Sequence, residues 1–140
     1  MTAVVIHMAA TWAMVGFAWT IQILQYPLMA AVPAEVFPEF EAHHQRRVVA
    51  VLAIFAPLEL VMAAVVFLAV PEVPGWLSLS SGLVLAVIWV STGLFYAPIH
   101  GRLGSGFDRA LHQRLVTTNW LRTIGWTARG VAAASMVAFF

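Results

Sequence analysis

Four apolar stretches, at about residues 3–28, 46–70, 76–97 and 112–138, leave little of this 140-residue chain over. A helix needs about 20 such residues to cross the hydrocarbon of a bilayer. The expected fold is therefore that of an all-α membrane protein: four transmembrane helices in an up-down bundle, forming one domain over residues 1–140. With 62% of its residues hydrophobic and 9% charged, the chain is more apolar than a soluble domain of this length needs. No internal repeat stands out.

The charges set the orientation. All seven basic residues are Arg, and Arg46, Arg47, Arg102, Arg109 and Arg114 belong to the face shared by the first and third connections. The 71–75 turn and both ends of the chain carry no Lys or Arg. By the positive-inside rule the Arg-rich face is cytoplasmic and both termini point outward, which suits a plasma (inner) membrane. Met1–His7 lacks the basic start and the cleavage site of a removable signal peptide, so the first span is expected to remain. A net charge of +1 makes no case for nucleic acid as a partner. With no cysteine, disulfides, thiolate metal sites and cysteine nucleophiles are excluded.

Prolines and acids divide the chain further. Tyr26-Pro27 is expected to end the first helix, because proline disfavours helix at the residue before it. Pro38-Glu39-Phe40-Glu41 looks like a helix start, from which one helix runs to about Val70, with a kink at Pro57 near Glu59. Pro98 is expected to end the third helix in a flexible loop, and Asp108 to begin the fourth.

That fourth segment carries its polar groups as a stripe. At about 100° per residue, His112, Leu115, Asn119, Arg122, Trp126 and Arg129 share one side. A charge within a span is costly, about 2.5–3.5 kcal/mol for Arg at the helix centre on insertion scales, and normally turns toward protein or a wet cavity. Counted from the cytoplasmic ends of their helices, Glu59 and Arg129 both lie about 20 Å deep, while Asn119 and Arg122 lie shallower, at about 10–15 Å. Glu59 and Arg129 are thus expected to form a structural ion pair, since neither is easily buried alone. On the first helix Thr11, Val15, Trp19, Gln22 and Tyr26 mark an inner face, with His7 off that line.

Nearer the cytoplasmic face, Glu41, His43, His44, His100 and His112 can converge with Gln22 and Tyr26. Carboxylate and imidazole are ligands for iron, copper, manganese or zinc, and Glu41-x-x-His44 has the spacing of bundle metal sites, so Glu41, His44, His100 and His112 are the metal candidates. A haem would need His44 with His100 or His112 as axial groups. Loop histidines at an interface fit the same residues, so the cofactor stays unknown. Trp19 and Trp126 are the tryptophans on proposed inner faces.

Short motifs carry a resemblance that covers nearly the whole chain: Gln25-Tyr26-Pro27, Pro98-Ile99-His100-Gly101-Arg102-Leu103, and the run from Asn119-Trp120-Leu121-Arg122 to Trp126-Thr127-Ala128-Arg129. In this order they resemble the family of small four-helix membrane proteins that includes the fungal anthrone oxygenases, with His100 and Trp126 standing where the family pattern carries Asn and His. The resemblance implies a four-helix fold and an oxidoreductase that oxygenates an electron-rich aromatic ring system without a cofactor. An apolar aromatic or quinone-like substrate, reaching the site from the bilayer, would bind against Trp19, Gln22, Tyr26 and Trp126. His44, His100, His112 and Glu41 would move protons, and Arg122 and Asn119 would hold an oxyanion. The alternative is a non-enzymatic binding or scaffold subunit among membrane lipids, in which the same stripe is packing or the contact of a homo-oligomer.

Overall fold

The computed structural model describes all 140 residues, Met1–Phe140, and contains no strand. Four helical rods follow one another. The first spans Thr2–Met29 and the third Gly75–Leu103; each contains one π-helical turn, Ile21–Gln25 and Thr92–Tyr96. The second, Phe37–Ala69, is α-helical throughout. The fourth is in two pieces, Arg109–Thr118 and Trp120–Met136, joined at Asn119 and ending in a 3-10 turn, Val137–Phe139. The first three are long and apolar enough to cross a membrane. The fourth is interrupted at Asn119 and carries Arg109, Arg114, Arg122 and Arg129.

Pro98 does not stop the third helix where the sequence predicts, and Pro27 lies within the first, which ends close to the expected residue 28. Proline lacks an N–H and its ring crowds the carbonyl four residues back, yet the first helix passes Pro27 to reach Met29 and the third passes Pro98 to reach Leu103. In both, a π turn sits just before the proline. Its i→i+5 bonding opens the ladder where the proline has no donor to offer, so the helix changes its hydrogen-bond pattern instead of ending. The flexible loop expected from Pro98 is correspondingly short. It contains Gly106 at φ 151°, a backbone region that only glycine enters at no steric cost. Asp108 then caps the fourth helix, its side chain accepting from the Leu111 N–H at 3.0 Å.

Short connections make sequential rods antiparallel neighbours. The first packs on the second and the fourth, the third packs on the fourth, and of the four adjacent pairs the second and third touch least. Three apolar clusters stack along the bundle. Met29, Phe37, Leu103 and Leu111 meet at the end that holds the first and third connections. Met14, Val15, Leu85, Ile88 and Trp126 form the middle, and Val4, Val66, Val73, Leu77 and Met136 the end near the termini. Two glycines of the fourth helix allow close approach of its neighbours. A Cβ at Gly130 would come within 3.0 Å of Val15 Cγ2, and one at Gly125 within 3.1 Å of Ile88 Cδ1. Small residues serve this purpose in membrane bundles, where packing rather than water drives helix association.

Candidate functional site

The polar side chains collect in two places between these apolar clusters. Toward the termini, Glu59 of the second helix and Arg129 of the fourth are fully buried and hydrogen-bonded to each other. Arg129 also donates to the Ser81 carbonyl and, at 3.0 Å, to its hydroxyl, and lies 5.7 Å from the centre of the Trp126 ring. Thr11 of the first helix donates to Glu59 Oε1 at 3.3 Å. All four helices therefore contribute to one charged knot. His7, read from the sequence as off the inner line, is buried and lies one turn from Thr11, whose hydroxyl bonds the His7 carbonyl at 2.9 Å. At about 100° per residue, His7 is only about 40° around the axis from Thr11. That angle was the available signal for its burial.

Toward the connections, a longer network begins at Glu41. This fully buried carboxylate accepts from His100 Nδ1 at 2.7 Å and from Gln45 Nε2 at 3.1 Å. The first bond leaves His100 Nε2 as an acceptor, and the Tyr26 hydroxyl donates to it at 2.9 Å. A carboxylate thus fixes the imidazole tautomer, which in turn orients a phenol. Gln45 Nε2 also bonds the His100 carbonyl at 3.2 Å, and Gln25 Nε2 bonds His44 Nδ1 at 3.2 Å. His44 lies with its ring centre 5.6 Å from that of His100.

His112 is buried but turned elsewhere: its Nε2 meets the Tyr26 carbonyl at 2.7 Å, so it fixes the first helix beside Pro27. His43 is exposed. No three His, Asp or Glu side chains come together as a metal-binding group. Glu41 and His100 meet and His44 stands beside them, but both ring nitrogens of His100 are already bonded.

Above this network, Asn119 donates to Gln22 Oε1 at 2.9 Å and accepts from Arg122 Nη1 at 3.2 Å. Gln22 Nε2 bonds the Val116 carbonyl at 3.1 Å, so the interruption of the fourth helix at Asn119 is tied across to the π turn of the first. The Arg122 guanidinium sits 5.1 Å from the centre of the Tyr96 ring. Arg122 meets no carboxylate: Glu59 pairs with Arg129, and Glu41 accepts from His100 and Gln45. It and Trp126 each bury a nitrogen, Nε and Nε1, without a hydrogen-bond partner.

Two hollows adjoin these groups. A cavity of about 20 Å³, room for one water, is lined by Tyr26, His44, Asn119, Arg122 and Trp126 among others. A cleft of about 170 Å³ is walled by Tyr26, His44, Tyr96, His100 and Arg122, with Val49 and Leu52 also on its lining. Most of its lining comes from the second and third helices.

Trp19, expected from the sequence to line the site, lies apart from the cavity and the cleft. It is 41% exposed, donates to Thr127 at 3.0 Å and packs edge-on against Trp120 at 5.6 Å. About 80° of helix rotation separates it from Thr11, which places it at the rim of the inner face. Tyr96 and Gln45 join the site without having been singled out from the sequence. Gln45 sits one helical turn from Glu41, whereas Tyr96 is brought inward by the π turn that ends on it.

Comparison with family models, with curated proteins and with solved structures finds no match. What the fold and site define is a class: an all-helical chain, three of whose helices are long and apolar enough to cross a membrane, enclosing a buried Glu-His-Tyr chain beside a cleft.

Proposed function

We propose that all four rods cross the membrane, with the Arg-rich connections in the cytoplasm, both termini outside, and the plasma membrane as the setting. The fourth rod has the least apolar sequence, but Asn119 and Arg129 are buried within the bundle, as charged and polar groups in spans normally are. In that frame the chain is an oxidoreductase acting on an apolar aromatic or quinone-like substrate that reaches the cleft from the bilayer. The observation that carries this reading is the Glu41–His100–Tyr26 chain on the wall of the cleft. The likeness to anthrone oxygenases, resting on the motifs at 25–27, 98–103 and 119–129, supports the choice of reaction.

The chemistry follows from the bonds. Tyr26 can take a proton from an aromatic hydroxyl while passing its own to His100 Nε2, and Glu41 stabilises the imidazolium that forms. Arg122 and Asn119 stand beside the cleft and its neighbouring cavity to hold the phenolate oxygen, a use of preplaced donors at developing charge. The phenolate of a quinol then gives two electrons to dioxygen: its second O–H breaks, both C–O bonds become carbonyls, and the dioxygen leaves as hydrogen peroxide with the two hydrogens. Membranes containing the chain, supplied with an apolar quinol, should consume dioxygen, and Tyr26→Phe should lower the rate at least about a hundredfold, the low end for loss of a proton-transfer group. Uptake no faster than in membranes without the chain would overturn the enzymatic reading.

A scaffold or lipid-binding subunit is the second reading. It is favoured by the Glu59–Arg129 knot, whose bonds run to Ser81 and Thr11, the pattern of a packing network that also suits a homo-oligomer.

A further inference from the structure

The cleft does not stop at its polar wall. Val49 and Leu52, which line it, also line a second hollow of about 370 Å³ that continues along Ala53, Ala56, Leu60 and Trp89. From Val49 to Leu60 this groove follows the second helix for about 16 Å. Polar groups line one end only. There Arg122, a cation without a carboxylate partner and with a buried Nε lacking a hydrogen-bond partner, faces the same cleft as Tyr26 and His100. A guanidinium held in hydrocarbon without an anion is costly, so a ligand oxygen able to carry negative charge is its natural complement.

The geometry points to an amphiphile: a single-ring phenol or quinol whose oxygen meets Arg122 and Tyr26 and whose hydrocarbon chain lies in the groove between the second and third helices. This deepens the proposed function, on which it rests, by naming the substrate class. Size decides the head, because about 170 Å³ of cleft matches the cavity of about 150 Å³ known to hold one benzene ring. Length decides the tail, because the groove runs on for about 16 Å along the second helix, beyond a head seated in the cleft. Depth argues against a phospholipid head, since Arg122 lies about 12 Å further along its helix than the exposed Arg114.

The test uses the intact chain in detergent, with a single-ring quinol, the same quinol bearing a decyl chain, and a fused three-ring phenol. Binding is read by native mass spectrometry. The position of the tail is read by a photoreactive group at its end, with the labelled residues mapped. The expected result is that both single-ring quinols bind and that the tail labels the groove near Ala56, Leu60 or Trp89. Ala53→Trp, at an exposed position on the groove, should lower that labelling about tenfold, equivalent to about 1.4 kcal/mol, while leaving the tail-less quinol bound as before. If the tail-less quinol binds but the tail labels all outward faces alike, the tail assignment is overturned and the site reading stands. Binding of the three-ring phenol alone also overturns it. If none of the three binds, both readings fall.

Discussion

Glu59 and Arg129 show what a single pair of residues must do in this setting. Each is fully buried, and they come from helices distant in sequence. Breaking a buried pair from one side leaves an uncompensated charge and costs about 3–5 kcal/mol. Glu59→Gln and Arg129→Met should therefore each lower thermal stability strongly, while the double variant should lose far less than the sum, as coupled neighbours do. Melting curves of the two singles and the double in detergent decide this, and additive losses would show that the residues stabilise the bundle independently. The pair was legible in the sequence because depth depends only on counting residues from the helix ends. Rotation was less legible. His7 and Trp19 lie about 40° and 80° from Thr11 on the helical wheel, yet the first is buried and the second exposed, because only the neighbouring helices decide where the inner face ends.

At the scale of the helix, apolar runs located the rods, and composition alone made the chain helical in expectation. The end of the third helix was misplaced for one physical reason. Pro27 and Pro98 read as breakers, whereas a π turn before each lets the helix continue, and no local sequence rule distinguishes the two outcomes. The consequence reaches the site, since Tyr26 and His100 both lie at or beyond those turns. The helix contacts make a separate prediction. Gly130→Leu should separate the first and fourth helices and destabilise the bundle by about 1–3 kcal/mol, the usual range for overpacking, because even a Cβ there approaches Val15 within 3.0 Å. Gly16→Ala on the first helix meets nothing within 4 Å and should be neutral or stabilise by about 0.5–1 kcal/mol through helix propensity. Thermal unfolding of the two variants checks both directions.

For the molecule as a whole, the proposed topology places the Glu-His-Tyr chain and its cleft nearer the cytoplasm and the Glu59–Arg129 knot nearer the outside. Reporter fusions at Met1 and Phe140 should both register a non-cytoplasmic location; two cytoplasmic signals would contradict it. The histidines and acids of the site were legible as a group from their position near one end of the bundle. Their partners were not, because His112 bonds a backbone carbonyl and Tyr96 carries Arg122, contacts that depend on which helices sit side by side. The central claim is that this cleft takes a proton from a bilayer-borne substrate and holds the resulting anion. The most direct measurement is the absorbance titration of a coloured apolar phenol bound to the chain in lipid vesicles. Beside Arg122 the phenol should ionise at a pH lower by about 1–3 units, the range for an acid next to a guanidinium, than in vesicles without protein, and Arg122→Gln should remove the difference. A bound phenol that titrates as it does in plain lipid, or one whose shift survives Arg122→Gln, would contradict the account.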